Sequence, residues 1–336
     1  MRQTKSATGI TLTAILTLAL IFSVSGPVNA EKYEPPMEMV SIGSHASGSV
    51  YVVFLAAWSK VLNESFKNFS ANVEAGGSTK NIMLVSNKQT EFGMTTGTQA
   101  YMGYWGLGFA QGKKYDDIRA LFPAYPAIFA AWVLEDSDIE KFPEDLNGKV
   151  VCFGARGSLT DLMMRSMIEK FDIKPKRIVN SSWADTSNLM ADGLVDITIN
   201  IGGHPAGFVK ELEVRHDLRF LRLSEDFKKK FLEAFPYYGL GTLPDVYKAM
   251  KGPHEDTLLT MNFVFTNKDL SEEFIYNVVK TTWENIEQIR SVKPGLFSWT
   301  DYESLKYIPI KFHKGAIKYY KEKGIELPEP VPGPQE

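Results

Sequence analysis

Short apolar runs alternate with longer amphipathic ones along the chain, the signature of an α/β domain with a largely parallel sheet. Residues 39–43, 69–75 and 92–94 read as strands, and 49–66, 78–86 and the stretch from Gln99 to the glycines 106 and 108 as helices. The long apolar run 118–134 contains Pro123 and Pro126, which predict a strand, a kink and a second strand. A second series follows Pro143 and Asn147-Gly148, with strands at 149–153, 177–180, 195–200 and 218–223 and helices at 158–171, 185–192 and 205–214. Pro236, Gly239, Gly241 and Pro244 mark a boundary. A late strand at 257–265 then precedes helices at 271–291, about 300–306 and 313–322. Two βα series with a returning strand predict two lobes joined by crossover strands. The first lobe comprises 31–135 plus 250–325 and the second 136–249, and the proline-rich tail 326–336 reads as loose.

The first thirty residues have a pattern of their own. Arg2 and Lys5 precede a charge-free apolar run, 10–24, and Val28-Asn29-Ala30 has the small-x-small form of a cleavage site. The run falls short of the roughly 20 residues of a membrane span. It predicts a secretory signal cleaved after Ala30 and a periplasmic location for the mature chain. Composition then narrows the function. With 44% hydrophobic and 23% charged residues and a net charge of −3, the chain is globular, and nucleic acid is excluded as a partner for want of a basic stripe. The single cysteine, Cys152, lies in an apolar β-like run and reads as a small buried hydrophobe.

Candidate chemistry gathers at three strand-to-helix junctions: Gly43-Ser44-His45-Ala46-Ser47-Gly48-Ser49, Ala75-Gly76-Gly77-Ser78-Thr79, and Gly154-Ala155-Arg156-Gly157-Ser158-Leu159-Thr160-Asp161. Each turns on glycine and opens a helix with a hydroxyl residue, so backbone N–H groups and the positive helix end favour an anion. Ligands of open α/β sheets collect at such carboxyl ends of strands. The candidate ligand-binding residues are Ser47, Gly48, Ser49, Tyr51, Gly77, Ser78, Arg156, Gly157, Ser158 and Thr160. Thr96 and Thr98 are either a further hydroxyl wall or a plain turn, and Asn200 and Gly203 precede a Pro-started helix and stay equally open. Arg156 is the one cation in the three glycine loops, suited to clamping a carboxylate. Tyr51, Trp183, Tyr237 and Tyr238 are candidates for an apolar side of the site.

Several chemistries lack their residues. Ser49 stands where a phosphate-binding loop needs lysine, and neither Gly-x-Gly-x-x-Gly nor a Gly-x-Ser-x-Gly elbow occurs. The five histidines have no metal-ligand spacing, and His45, Ser47 and Ser49 share one loop with no orienting carboxylate. No catalytic residue, metal site or cofactor is expected.

These loops resemble those of the TAXI family of TRAP transporter solute receptors, in order along nearly the whole mature chain. The first loop through Tyr51, the Gly76-Gly77-Ser78 turn with Asn81-Ile82, Thr90-Glu91-Phe92-Gly93 with Ala100-Tyr101, Leu146-Asn147-Gly148-Lys149-Val150-Val151, the Gly154–Thr160 loop, Phe235-Pro236-Tyr237-Tyr238 and His313-Lys314-Gly315-Ala316 with Tyr319-Tyr320 carry the resemblance. It implies a two-lobed periplasmic-binding-protein fold of the type with two crossover strands, and C-terminal helices. It further implies a non-catalytic receptor that closes on a small organic anion, such as glutamate, 2-oxoglutarate or another dicarboxylate, and delivers it to a TRAP-type membrane permease. His45 and Ala46 replace family glycines. Arg156 replaces a proline and implies a contact to a second carboxylate. The alternatives are an exported enzyme, a ligand sensor on the same fold, or a receptor for an ATP-driven importer.

Overall fold

The computed structural model describes residues 32–47 and 49–334; the expected signal segment and Gly48 lie outside them. In chain order the first part builds β1 (Met39–Gly43), α1 (Val50–Ser65), β2 (Ser70–Glu74), α2 (Ser78–Ser86), β3 (Phe92–Thr96), α3 (Gly97–Trp105) and β4 (Ile118–Leu134). The middle adds β5 (Val150–Cys152), α4 (Leu159–Lys170), β6 (Arg177–Val179), α5 (Trp183–Ala191), β7 (Ile197–Gly202), α6 (Gly207–Arg215), β8 (Leu218–Leu221), α7 (Glu225–Ala234) and β9 (Gly239–Leu243). The chain returns through β10 (His254–Asn267) and finishes with α8 (Glu272–Glu284), α9 (Ile286–Arg290), α10 (Pro294–Phe297) and α11 (Lys314–Glu322).

The strands form one sheet in the order β2-β1-β3-β10-β4-β7-β5-β6, with β8 on β4 and β9 on β10. Pairing is parallel at both ends, β2-β1-β3 and β7-β5-β6, as the βα alternation predicts. The centre is antiparallel, because β10 runs against β3, β4 and β9, and β4 against β7 and β8. The sheet is therefore two parallel halves stitched by two long crossover strands, rather than parallel throughout.

Packing follows that division. One buried cluster holds Phe54, Trp58, Phe92, Phe263 and Tyr320, and takes β4 from Ile118 to Tyr125. From Ala127 onward β4 alternates between two other clusters. Ala127, Phe129, Ala131 and Val133 face Phe142, Phe153, Ile199 and Phe231, while Ile128, Ala130 and Trp132 face Val209, Leu212 and Tyr247. Period-two burial on both faces is what a central strand requires. β10 makes the same transfer, from Leu258 and Leu259 to Phe263–Phe265.

Four expectations are corrected. The two prolines do not divide β4, which is one 17-residue strand. The strand absorbs them with a register shift: Tyr125 pairs with Asn262 and Pro123 with Phe263, leaving Ala124 bulged. The bulged carbonyl accepts Thr300 Oγ1 at 2.5 Å. Second, the glycine-rich boundary after Pro236 contains the strand β9. A Cβ at Gly239 would lie 2.5 Å from Tyr307, and one at Gly241 2.3 Å from Leu259, so these glycines admit neighbours instead of ending structure. Third, a helix the pattern missed, α7, starts at Ser224, whose side chain accepts Phe227 N–H, and buries Phe227 and Phe231 one turn apart. Fourth, the described part of the tail, to Pro334, does not hang loose. Val331 N–H donates to Pro309 O, Tyr101 OH to Pro332 O and Trp105 Nε1 to Val331 O. Cys152 is buried against Thr186, its sulfur 3.3 Å from the hydroxyl.

Candidate functional site

Asn81, fully buried in the first turns of α2, sets the geometry of the first-lobe loops. Its Nδ2 lies 2.8–2.9 Å from the carbonyls of Gly43, Ser44 and Met94, tying together the ends of β1 and β3. Its Oδ1 accepts Gly77 N–H at the start of α2. A Cβ at Gly43 or Gly76 would strike that amide at 2.6 or 2.1 Å, which is why glycine stands at both positions.

The loops so placed form one wall of a cavity of about 500 Å³. His45 and Ser49 come from the loop before α1 and Val50 and Tyr51 from its first turn, Gly77, Ser78 and Thr79 from the start of α2, Thr96 from the end of β3 and Gln99 from α3. The floor is made by the crossover strands through Tyr125, Ala127 and Asn262. The opposite wall belongs to the second half: Gly157, Ser158, Leu159 and Leu162 of the α4 start, Trp183, and the β7 end at Ile201, Gly202 and Gly203. Gly154 makes room for Trp183. Its φ is +67°, and a Cβ there would meet the indole at 2.4 Å. Trp183 is held from behind by stacking on Phe208.

The helix starts facing the cavity differ in chemistry. Neither α1 nor α2 has a side-chain cap, so the first-turn N–H groups have no side-chain partner. Ser49 Oγ is also buried without a partner. α4 is self-contained. Ser158 Oγ accepts Asp161 N–H, and the buried Asp161 carboxylate accepts Gly157 N–H, Arg165 Nε–H and Asn180 Nδ2–H. A carboxylate already sits at that positive helix end.

A hydrogen-bond chain joins the first wall to the floor. Tyr51 OH donates to Asn262 Oδ1 at 2.7 Å and lies 3.0 Å from Ser78 Oγ, and Asn262 Nδ2 donates to Tyr125 O at 2.9 Å. Burial pushes the Tyr51 hydroxyl well above its usual range, so it works as a neutral donor. Gln99 is 7% exposed and its Oε1 has no partner.

Of the residues singled out from sequence, Ser49, Tyr51, Gly77, Ser78, Thr96, Gly157, Ser158 and Gly203 come together in the cavity wall. Ser47 and Arg156 are exposed and outside it, and Gly48 lies outside the described residues. The other three candidates are buried behind it. Thr98 contacts Thr260, Thr160 Oγ1 accepts Ile201 N–H, and Asn200 sits at the β7 end with its amide against Gly202. Trp183 lines the site, while Tyr237 and Tyr238 do not. Sequence reasoning missed Gln99, Tyr125, Leu162 and Asn262. Asn262 alone left a trace, a polar residue inside an otherwise apolar strand.

Next to the wall, His204 is buried with every polar group satisfied. Its Nδ1 faces Tyr247 OH at 2.6 Å and its Nε2 faces Ile128 O at 3.1 Å. Burial lowers its pKa to about 4, so the ring is neutral, donating to the carbonyl and accepting from the phenol.

In overall structure the chain is similar to a TctC solute binding protein from Polaromonas, at 14% identity and a TM-score of 0.52 over 77% of this chain and 88% of that one. It also matches SsuA, the periplasmic aliphatic sulphonate binding protein of Escherichia coli, at 14% identity and a TM-score of 0.44, covering 89% and 96% of the two chains. The two-lobed periplasmic-binding-protein fold with two crossover strands is thus the fold observed. Residues 42–324 match the NMT1-like family, and the chain belongs to that family.

Proposed function

We propose that the protein is a non-catalytic solute receptor that closes on a small organic anion, a carboxylate, and hands it to a membrane transporter. The observation that carries this reading is the cavity between the two halves of the sheet, where the uncapped starts of α1 and α2 face apolar residues of the second half. Uncapped helix starts offer N–H donors and a positive potential without a cation. Two walls on separate cores let a ligand favour a closed arrangement, since only a molecule touching both distinguishes closed from open.

The finer parts of the proposal rest on the TAXI resemblance of the loops. The membrane partner is a TRAP-type permease, and the lobes are joined through the crossover strands that end near 135 and begin near 250. The charge and apolar pattern of the first thirty residues adds a cleaved export signal at 1–30 and a periplasmic place of work. Among the described residues no helix is long and apolar enough to cross a membrane.

The test is a thermal-shift screen of protein refolded from denaturant to strip any carried molecule, against monocarboxylates, dicarboxylates, 2-oxo acids and amino acids. A ligand at 100 times its Kd adds about 2.7 kcal/mol to the folded state, a shift of several degrees for a chain of this size. A flat response from folded protein across all four classes overturns the carboxylate reading.

A further inference from the structure

Resting on the receptor reading above, the two walls of the cavity narrow its ligand. The anion-friendly groups are all on one side. Ser49 Oγ is buried and unpartnered at the uncapped start of α1, and α2 beside it is uncapped too. On the other side the start of α4 is occupied by its own Asp161 carboxylate. What that side offers is the apolar surface of Leu159, Leu162, Trp183 and Ile201. Among the described residues no Lys, Arg, Asp or Glu lines the cavity, and its one histidine, His45, stands on the same wall as the α1 and α2 starts, so the second wall offers no counter-charge to a second carboxylate or an ammonium group. Removing such a group from water without a partner is strongly unfavourable. A separate observation points to a ligand: Gln99, more than nine-tenths buried in the wall, keeps its Oε1 without a partner. A buried acceptor left unpaired is costly; a half-turn of the amide brings that oxygen to the cavity face, where a donor on a bound molecule relieves it.

We infer that the ligand is a singly charged organic anion with an apolar, ring-sized body bearing one hydroxyl or N–H. The head lies on the α1 and α2 starts, the donor reaches Gln99, and the body rests on Leu159, Leu162 and Trp183. Dicarboxylates and zwitterionic amino acids are discriminated against by the absence of a counter-charge on the second wall.

Titration calorimetry on the refolded full chain tests this with 4-hydroxyphenylacetate, its uncharged amide, phenylacetate, glutarate and L-glutamate. The expected result is binding of 4-hydroxyphenylacetate at least tenfold tighter than of glutarate, L-glutamate or the amide, with phenylacetate several-fold weaker. Glutarate or L-glutamate binding as tightly overturns this ligand class while leaving an anion receptor standing. An amide that binds as well as the acid overturns anion recognition itself. Phenylacetate matching 4-hydroxyphenylacetate removes the role given to Gln99, and no heat from any probe overturns the inference. Two variants check the placement. Leu162→Asn, at a position 38% exposed and so tolerant of change, weakens 4-hydroxyphenylacetate at least threefold, whereas Arg156→Ala leaves it unchanged. The reverse pattern returns the site to a guanidinium clamp.

Discussion

Asn81 concentrates more of the site's architecture in one side chain than any loop residue does. It holds two strand ends and a helix start through four hydrogen bonds with no exposure to solvent. Asn81→Ala removes the two N–H donors that three backbone carbonyls share, and a typical buried hydrogen bond contributes about 1 kcal/mol net, more where a partner stays unsatisfied. We expect a loss of about 3 kcal/mol in urea unfolding. His204 makes a second residue-scale prediction. Its native pKa of about 4 lies below the ordinary value near 6.5, so between those values the unfolded chain binds a proton that the native one refuses. The sign follows: stability is lost as pH falls from about 6.5 toward 4, by about 2 kcal/mol between pH 7 and pH 4.5 from this group. Urea midpoints measured across that interval should decline less steeply in His204→Gln, even though that variant starts lower at pH 7.

Elements were legible where their signals are local. β1 and α2 coincide with the sequence reading because alternation, glycine and an amphipathic run all lie within the element. β9 was not, because Gly239 and Gly241 are required by Tyr307 and Leu259, which arrive from elsewhere in the chain. β4 was misread for a related reason. Proline in a central strand is normally disruptive, but here the register shift at Ala124 and the Thr300 hydroxyl from beyond α10 accommodate it. That account is testable at the same scale. Thr300 is fully buried, and Thr300→Val keeps its shape while leaving the Ala124 carbonyl unpaired. The expected cost is about 1–3 kcal/mol, and faster amide exchange should be confined to the middle of β4 and β10. Uniform exchange along both strands would mean that the hydroxyl does not support the bulge.

At the scale of the molecule, the cavity exists because the core of the first half meets the two clusters of the second across β4 and β10, and this is also why only part of the site was readable. The glycine loops announce themselves locally, but Tyr125, Gln99, Leu162 and Asn262 converge only once the two halves are set side by side. The same juxtaposition creates a contact away from the cavity. Tyr101 of α3 stacks on Tyr237 of the second half, with ring centroids 4.4 Å apart and an interplanar angle of 27°. The tail steadies that tyrosine by accepting its hydroxyl at Pro332 O. Stacked aromatic pairs contribute about 0.5–1.5 kcal/mol beyond the area they bury, and this pair exists only while the halves are together. If the ligand binds the closed arrangement, weakening that arrangement lowers apparent affinity by the fraction of closed protein lost. Tyr237→Ala should therefore increase the radius of gyration of the ligand-free protein in small-angle scattering. It should also weaken binding about fivefold, although Tyr237 does not line the cavity. The weakening should appear as slower association, in proportion to the closed fraction lost, together with a scattering profile that ligand restores to the wild-type form. An unchanged radius and affinity would mean that the crossover strands alone hold the halves together and that the tyrosine stack is incidental.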